Sequence, residues 1–171
     1  HFYGHGTFAA DGDFLFTTEN DFEMGRGVIG VWAVRHRYER VGEFPSGGVG
    51  PHDIKLMPNE ATLVVANGGI ETHPETGRTK LNIPTMHPNL SYLRLDGKVE
   101  DQVALDNEYR KNSIRHLAVA NDATVAFAMQ WQGDTSETIP LIGKHQTGKS
   151  PVLIRSERSA VRHMSGYVGS I

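Results

Sequence analysis

The stretch HDIKLMPNEATLVVANG, residues 52–68, reads as two strands around a polar turn, and the chain repeats its grammar twice more. HGTFAADGDFLFTTEN (5–20) and HLAVANDATVAFAMQWQG (116–133) also open on histidine, turn at polar residues and close on a second apolar strand with a polar end. The turns fall at Asp11-Gly12, Asn59-Glu60 and Asp122-Ala123, and only the first holds the glycine that hairpin turns favour. Two further candidate strands follow each pair: GVIGVWAV and YERVGEF, LSYLRLD and KVEDQVAL, PLIGKH and PVLIR.

Four strands per unit, with unit starts near 5, 52 and 116, is the pattern of a β-propeller blade of about 40–50 residues. The longer second unit carries an insertion, GIETHPETGRTKLNIPTMHPN. The reading is therefore an all-β fold, a β-propeller of four-stranded antiparallel blades, with about half of a ring in one segment spanning residues 1–171. Nineteen glycines and eight prolines punctuate the apolar runs, and no long helical period survives between them. A helical turn is expected near residues 157–164 in SERSAVRHMSGY, and an incomplete fourth unit near 166 in GYVGSI. Propellers close with about 4 to 8 blades, so the segment is expected to belong to a longer parent chain or to close by pairing with something else.

A formal charge of -3 supplies no broad positive field, which argues against nucleic acid or an anionic membrane surface as partner. With no cysteine there is neither a disulfide nor a thiolate metal site. No apolar run approaches the roughly 18 residues of a membrane span, so no membrane insertion is expected. The first residue is His1 and no export signal is visible, so such a signal is expected to have been removed.

In a propeller the first strand of each blade lines the central channel, so its leading residue sits at the channel mouth. Rotation about that channel is expected to gather His5, His52 and His116 on one ring, with Asp53 beside His52. Loops joining second to third strands open on the same face. They carry Glu19, Asn20 and Asp21 in the first unit, Asn67, Glu71, His73, Glu75 and Arg78 in the second, and Gln130, Trp131 and Gln132 in the third.

A polar, concave mouth on a rigid scaffold is a natural place for a small-molecule ligand or a protein partner. His5, His52 and His116 are candidate ligands for a divalent metal ion, with Asp53 or Glu71 as an oxygen ligand or a partner behind the imidazoles. The competing expectation is that each histidine only bonds neighbouring backbone. Arg115 is a candidate clamp for a carboxylate or phosphate, Trp131 between its two amides a candidate stacking surface, and the 71–80 loop a candidate lid. His1, His36, His87, His145 and His163 read as surface or loop residues, and Tyr3, Tyr92 and Tyr167 as structural. The chain holds neither a G-x-S-x-G nucleophile elbow nor a P-loop.

The motifs HFYGHGTF, TEND, GRGVIG, GPHD, VVANGGIETHP, SIRHLA, FAMQWQG and GYVGSI together resemble the bacterial family catalogued as domain of unknown function 1513. The resemblance runs nearly the whole length of the chain. It implies an exported, periplasmic, seven-bladed-propeller-like protein with a twin-arginine signal and a longer parent chain, associated by gene neighbourhood with iron uptake. It implies no established activity. The blade grammar around GPHD also looks like that of propeller lactonases, which would make His52 a general base on water and Arg115 the group steadying an oxyanion, with Asp53, His116 and Glu71 completing the set. Three functional expectations follow: a rim that binds a metal-related ligand or a periplasmic partner, a lactonase-like hydrolase, and a non-catalytic assembly scaffold.

Overall fold

The computed structural model describes residues 1–77 and 79–155. Arg78, His163, Tyr167, the expected helical turn near 157–164 and the expected fourth unit lie outside them. Within them the chain forms twelve strands and four single-turn 3-10 segments, with no α-helix. The strands are β1 (Phe2–Phe8), β2 (Phe14–Asp21), β3 (Arg26–Ala33), β4 (Glu39–Pro45), β5 (Pro51–Leu56), β6 (Thr62–Asn67), β7 (Asn89–Arg94), β8 (Val99–Ala104), β9 (Asn112–Val119), β10 (Val125–Trp131), β11 (Ile142–His145) and β12 (Val152–Ile154). They make three four-stranded antiparallel sheets, each paired in the order in which the chain runs.

The central strand of this architecture is β6, all six of whose residues are buried. A strand covered on both faces reads as an unbroken apolar run, which is why LVVA does not alternate with polar residues. Its side chains still alternate in direction. Leu63 and Val65, with Ile54 and Leu93, pack towards Phe16 and Ile29 of the first sheet. Val64 and Ala66, with Leu90 and Tyr92, pack towards Ile114, Leu117, Phe127 and Met129 of the third. Each such buried aliphatic side chain is worth about 1.5–3 kcal/mol, so the two faces of the second sheet hold the three sheets together.

His145 departs from the sequence expectation of a surface or loop residue: it lies in β11 and is 2% exposed. Its Nε2 lies 2.8 Å from the Lys149 carbonyl, which only accepts, so Nε2 carries the proton. Nδ1 then accepts from the Tyr92 hydroxyl at 2.6 Å, an interaction between the second and third sheets. Burial raises the Tyr92 pKa above its ordinary value, keeping that hydroxyl a donor.

The first strands of the sheets lie side by side, β1 against β5 and β5 against β9. The approach at β1 is so close that a Cβ on Gly4 would run into the His52 carbonyl oxygen. The start of each first strand pairs with the end of its second strand, as in Phe2 with Glu19, Pro51 with Asn67 and Asn112 with Trp131. Every loop from second to third strand therefore leaves from the end where the first strands begin.

Candidate functional site: a three-histidine cluster at bulged strand starts

All three first strands break register near their beginnings. Pairing skips His52 between Pro51 and Asp53, and skips Arg115 between Ile114 and His116; in β1 the irregularity lies between Phe2 and Gly6. A bulge adds a residue, bends the strand and re-aims the side chains beside it. Counting back from the matching turn residues Gly12, Glu60 and Ala123 puts Gly4, His52 and Arg115 in one blade position and His5, Asp53 and His116 in the next. This corrects the alignment of the histidines read from sequence. His52 stands one residue ahead of its expected partners, and Asp53 occupies the position that His5 and His116 hold in the other sheets.

The bulges nonetheless bring the three imidazoles together. Ring centroids are 5.7 Å apart for His5 and His52, 5.3 Å for His5 and His116, and 4.9 Å for His52 and His116. One ligand nitrogen from each lies within 4.8 Å of the others. Metal–nitrogen bonds of about 2.0–2.1 Å set the nitrogens of a tetrahedral site roughly 3.4 Å apart, so the cluster would have to contract by about an ångström around an ion. His5 is exposed and the other two are half-buried.

Asp53 lies behind the cluster. It is 1% exposed, and its Oδ2 accepts from the Leu117 amide at 2.9 Å, tying β5 to β9. Its Oδ1 accepts from the Ile54 amide at 2.8 Å and stands 3.3 Å from Lys55 Nζ and 3.9 Å from His5 Nδ1. With both oxygens so engaged, the carboxylate fastens two sheets, and at 3.9 Å it stands beyond hydrogen-bonding distance of the nearest imidazole.

Arg115 supplies the other contact. Its Nη1 lies 3.3 Å from His52 Nδ1. A guanidinium only donates, so Nδ1 accepts and the proton of neutral His52 resides on Nε2. Burial first, then the Arg115 charge and the two neighbouring histidines, pushes the His52 pKa down to about 3. Burial also lowers that of His116, against the opposing pull of Asp53. His52 is therefore neutral at ordinary pH, with one lone pair engaged by Arg115. Lys55, beside Asp53, is a part of this constellation that the sequence reading did not name; nothing in a lone lysine of an alternating strand marks it.

The remaining candidates fall elsewhere on the rim. His73 accepts from the Glu75 amide through Nδ1 at 3.3 Å, its ring 6.1 Å from that of Phe22. It lines a cleft of about 470 Å³ on the first sheet with Glu19, Asp21, Arg40, Glu43 and Glu75, apart from the histidine cluster. Glu71 is held by backbone bonds to Asn82 and Leu81, its carboxylate near Gly25. Trp131 donates its indole N–H to the Asp134 carbonyl at 3.0 Å, within its own loop, and Gln130 is exposed.

A family model described as "Protein of unknown function (DUF1513)" matches residues 1–171. A search of curated proteins finds no match. Among solved structures, Kuenenia stuttgartiensis hydrazine synthase is similar in fold, with a TM-score of 0.60 at 15% identity, over 82% of this chain and 38% of that one. The chain thus spans well under half the length of that relative. At such identity the likeness concerns the fold alone, a β-propeller-like stack of sheets. No helix among the described residues is long and apolar enough to cross a membrane.

Proposed function

The chain belongs to the family described as Protein of unknown function (DUF1513), a description that carries no activity, and from the geometry we propose that it binds a divalent transition-metal ion through His5, His52 and His116. The observation that carries this reading is the convergence of three imidazole nitrogens, one from each sheet, within 4.8 Å. Imidazole suits zinc, copper, iron and nickel; protons do not take the His52 lone pair until the pH nears 3, so an ion has only the Arg115 N–H to displace from it. The reading is a binding protein that performs no chemistry of its own. Residence in the periplasm and a link to metal uptake belong to the same proposal, supported by the motif resemblance.

A lactonase-like hydrolysis fits the arrangement less well. A general base must offer a lone pair with useful basicity. The His52 conjugate acid is strong, with a pKa of about 3, so its lone pair takes a proton from water poorly. Titration of the full-length protein with Zn²⁺, Ni²⁺ and Co²⁺ by calorimetry tests the proposal. One ion per chain is expected to bind, and binding is expected to weaken at least 100-fold in His52→Ala and His116→Ala but not in His36→Ala. Equal binding in all four proteins, or none in the parent, would leave the cluster as a fastening between sheets.

A further inference from the structure

Arg115 is the residue the metal reading leaves unexplained. It is the bulge residue of β9, in the blade position that His52 holds in β5 and Gly4 in β1. Its Nη1 contacts His52, while its Nε is shut away from solvent and meets no acceptor among the described residues. No ion pair among the described residues includes it. Asp53, the carboxylate of the cluster, is committed to the Leu117 and Ile54 amides and to Lys55. A guanidinium does not give up its charge, and Arg115, half-buried with its Nε fully enclosed, carries that charge without a counter-charge among the described residues, a cost that grows with each part withdrawn from water. Neutral imidazoles bring it no relief.

A dication bound to the three histidines alone would place positive charge beside this guanidinium. It would also need the His52 lone pair that Arg115 holds. Three protein ligands leave the fourth tetrahedral position of such an ion to an outside ligand. We propose that this position takes an oxyanion, a carboxylate or phosphate-type group, which Arg115 meets with its charge and with the N–H freed when His52 turns to the metal. The ligand of the rim is then a metal–oxyanion pair and not a bare cation. Each half favours the other: the anion cancels the repulsion between metal and guanidinium, and the metal releases the guanidinium for the anion. This rests on the metal reading above and names the second component of the same site.

The test is a Co²⁺ titration of the full-length protein followed by visible absorption in nitrate medium, alone and with acetate or methylphosphonate. In the parent protein the anion is expected to tighten Co²⁺ binding roughly 10-fold or more and to shift the Co²⁺ band. In Arg115→Gln, bare Co²⁺ is expected to bind more tightly than in the parent while the effect of anion disappears. Arg115→Lys keeps the charge without the fork and is expected to retain part of it. The larger response of the two anions tells a carboxylate ligand from a phosphate-type one. Co²⁺ binding that ignores both anions, or an anion effect unchanged in Arg115→Gln, would overturn this inference alone. Absence of Co²⁺ binding in every arm would overturn the metal reading along with it.

Discussion

The two ends of the first strands follow opposite rules. At the turn end the backbone is repeated and the chemistry is bland: Gly12, Glu60 and Ala123 each donate an amide to the carbonyl three residues back, and Asp11, Asn59 and Asp122 each accept from the amide two residues on. At the other end the backbone device is again shared, a register break in every sheet, but its side chains are Gly4-His5, His52-Asp53 and Arg115-His116. A repeated turn thus ends the strand on one side, and a repeated register break displays chemistry on the other. Divergence on a repeated backbone gives three adjacent, related strands an asymmetric site.

The largest difference is expected from adding one carbon at each end of β1. A Cβ on Gly4 meets the His52 carbonyl and Thr18 Oγ1, whereas one on Gly12 meets nothing within 4 Å. Because the first obstacle at Gly4 is backbone, β1 and β5 must part. Gly4→Ala is expected to cost on the order of 3 kcal/mol and to spoil the imidazole cluster. Gly12→Ala meets only the strain of a positive φ of 73°, about 1 kcal/mol, and should leave the cluster intact. Urea denaturation and metal titration of both variants check this. Similar losses from the two would mean that the rim has no tighter tolerance than the turn.

Acid separates the ends next. His52 has its folded pKa at about 3, below the ordinary 6.5, so between those values the unfolded chain holds a proton that the folded one refuses. Stability is therefore expected to fall as pH drops from 6.5 towards 3, with a slope of at most about 1.4 kcal/mol per pH unit, reduced by the part of the ring that solvent still screens. His116 shifts in the same direction. At the turn end, hydrogen bonds from the Thr124 amide and side chain hold the Asp122 carboxyl below its ordinary 3.8, so its contribution persists until the pH falls past that value. Thermal midpoints of the metal-free protein between pH 7 and 4 should decline, and His52→Gln should flatten the decline. An unaltered slope in that variant would mean that the imidazole is not the group excluded from protonation.

What could be read in advance divides along the same line. Three units of four strands were legible because burial on both faces of β6 leaves an unbroken apolar run and because polar turns recur around it. The association of His5, His52 and His116 was legible from repetition, but the one-residue slip of His52 was not. A bulge is set by how two strands pair, and HDIKL carries no mark that His52 lies outside the ladder. Glu71, His73 and Trp131 were placed at the same end of the sheets, but that they stand apart from the imidazoles was not legible, since the connections after β2, β6 and β10 differ in length and follow no repeat. His145 was misread because β11 is a four-residue strand, too short for its alternation to reveal an inward-facing imidazole.

The smallest expected effect lies at the turn end and runs in the stabilising direction. Glu60 and Ala123 occupy the left-handed position, at φ 57° and 62°, that Gly12 holds in the first sheet at 73°. A side chain there costs about 1–2 kcal/mol, and glycine returns about half of that through the greater freedom of the unfolded chain. Glu60 is exposed, so its replacement gives up little contact; Glu60→Gly is expected to gain about 0.5–1 kcal/mol. Ala123 packs its methyl against the core between the second and third sheets, so Ala123→Gly should gain less than Glu60→Gly or nothing. Chemical denaturation of the two variants reads the difference directly. A larger gain at Ala123 would show that backbone strain outweighs packing even where the methyl is partly buried, and that the three turns are less alike than their hydrogen bonds make them.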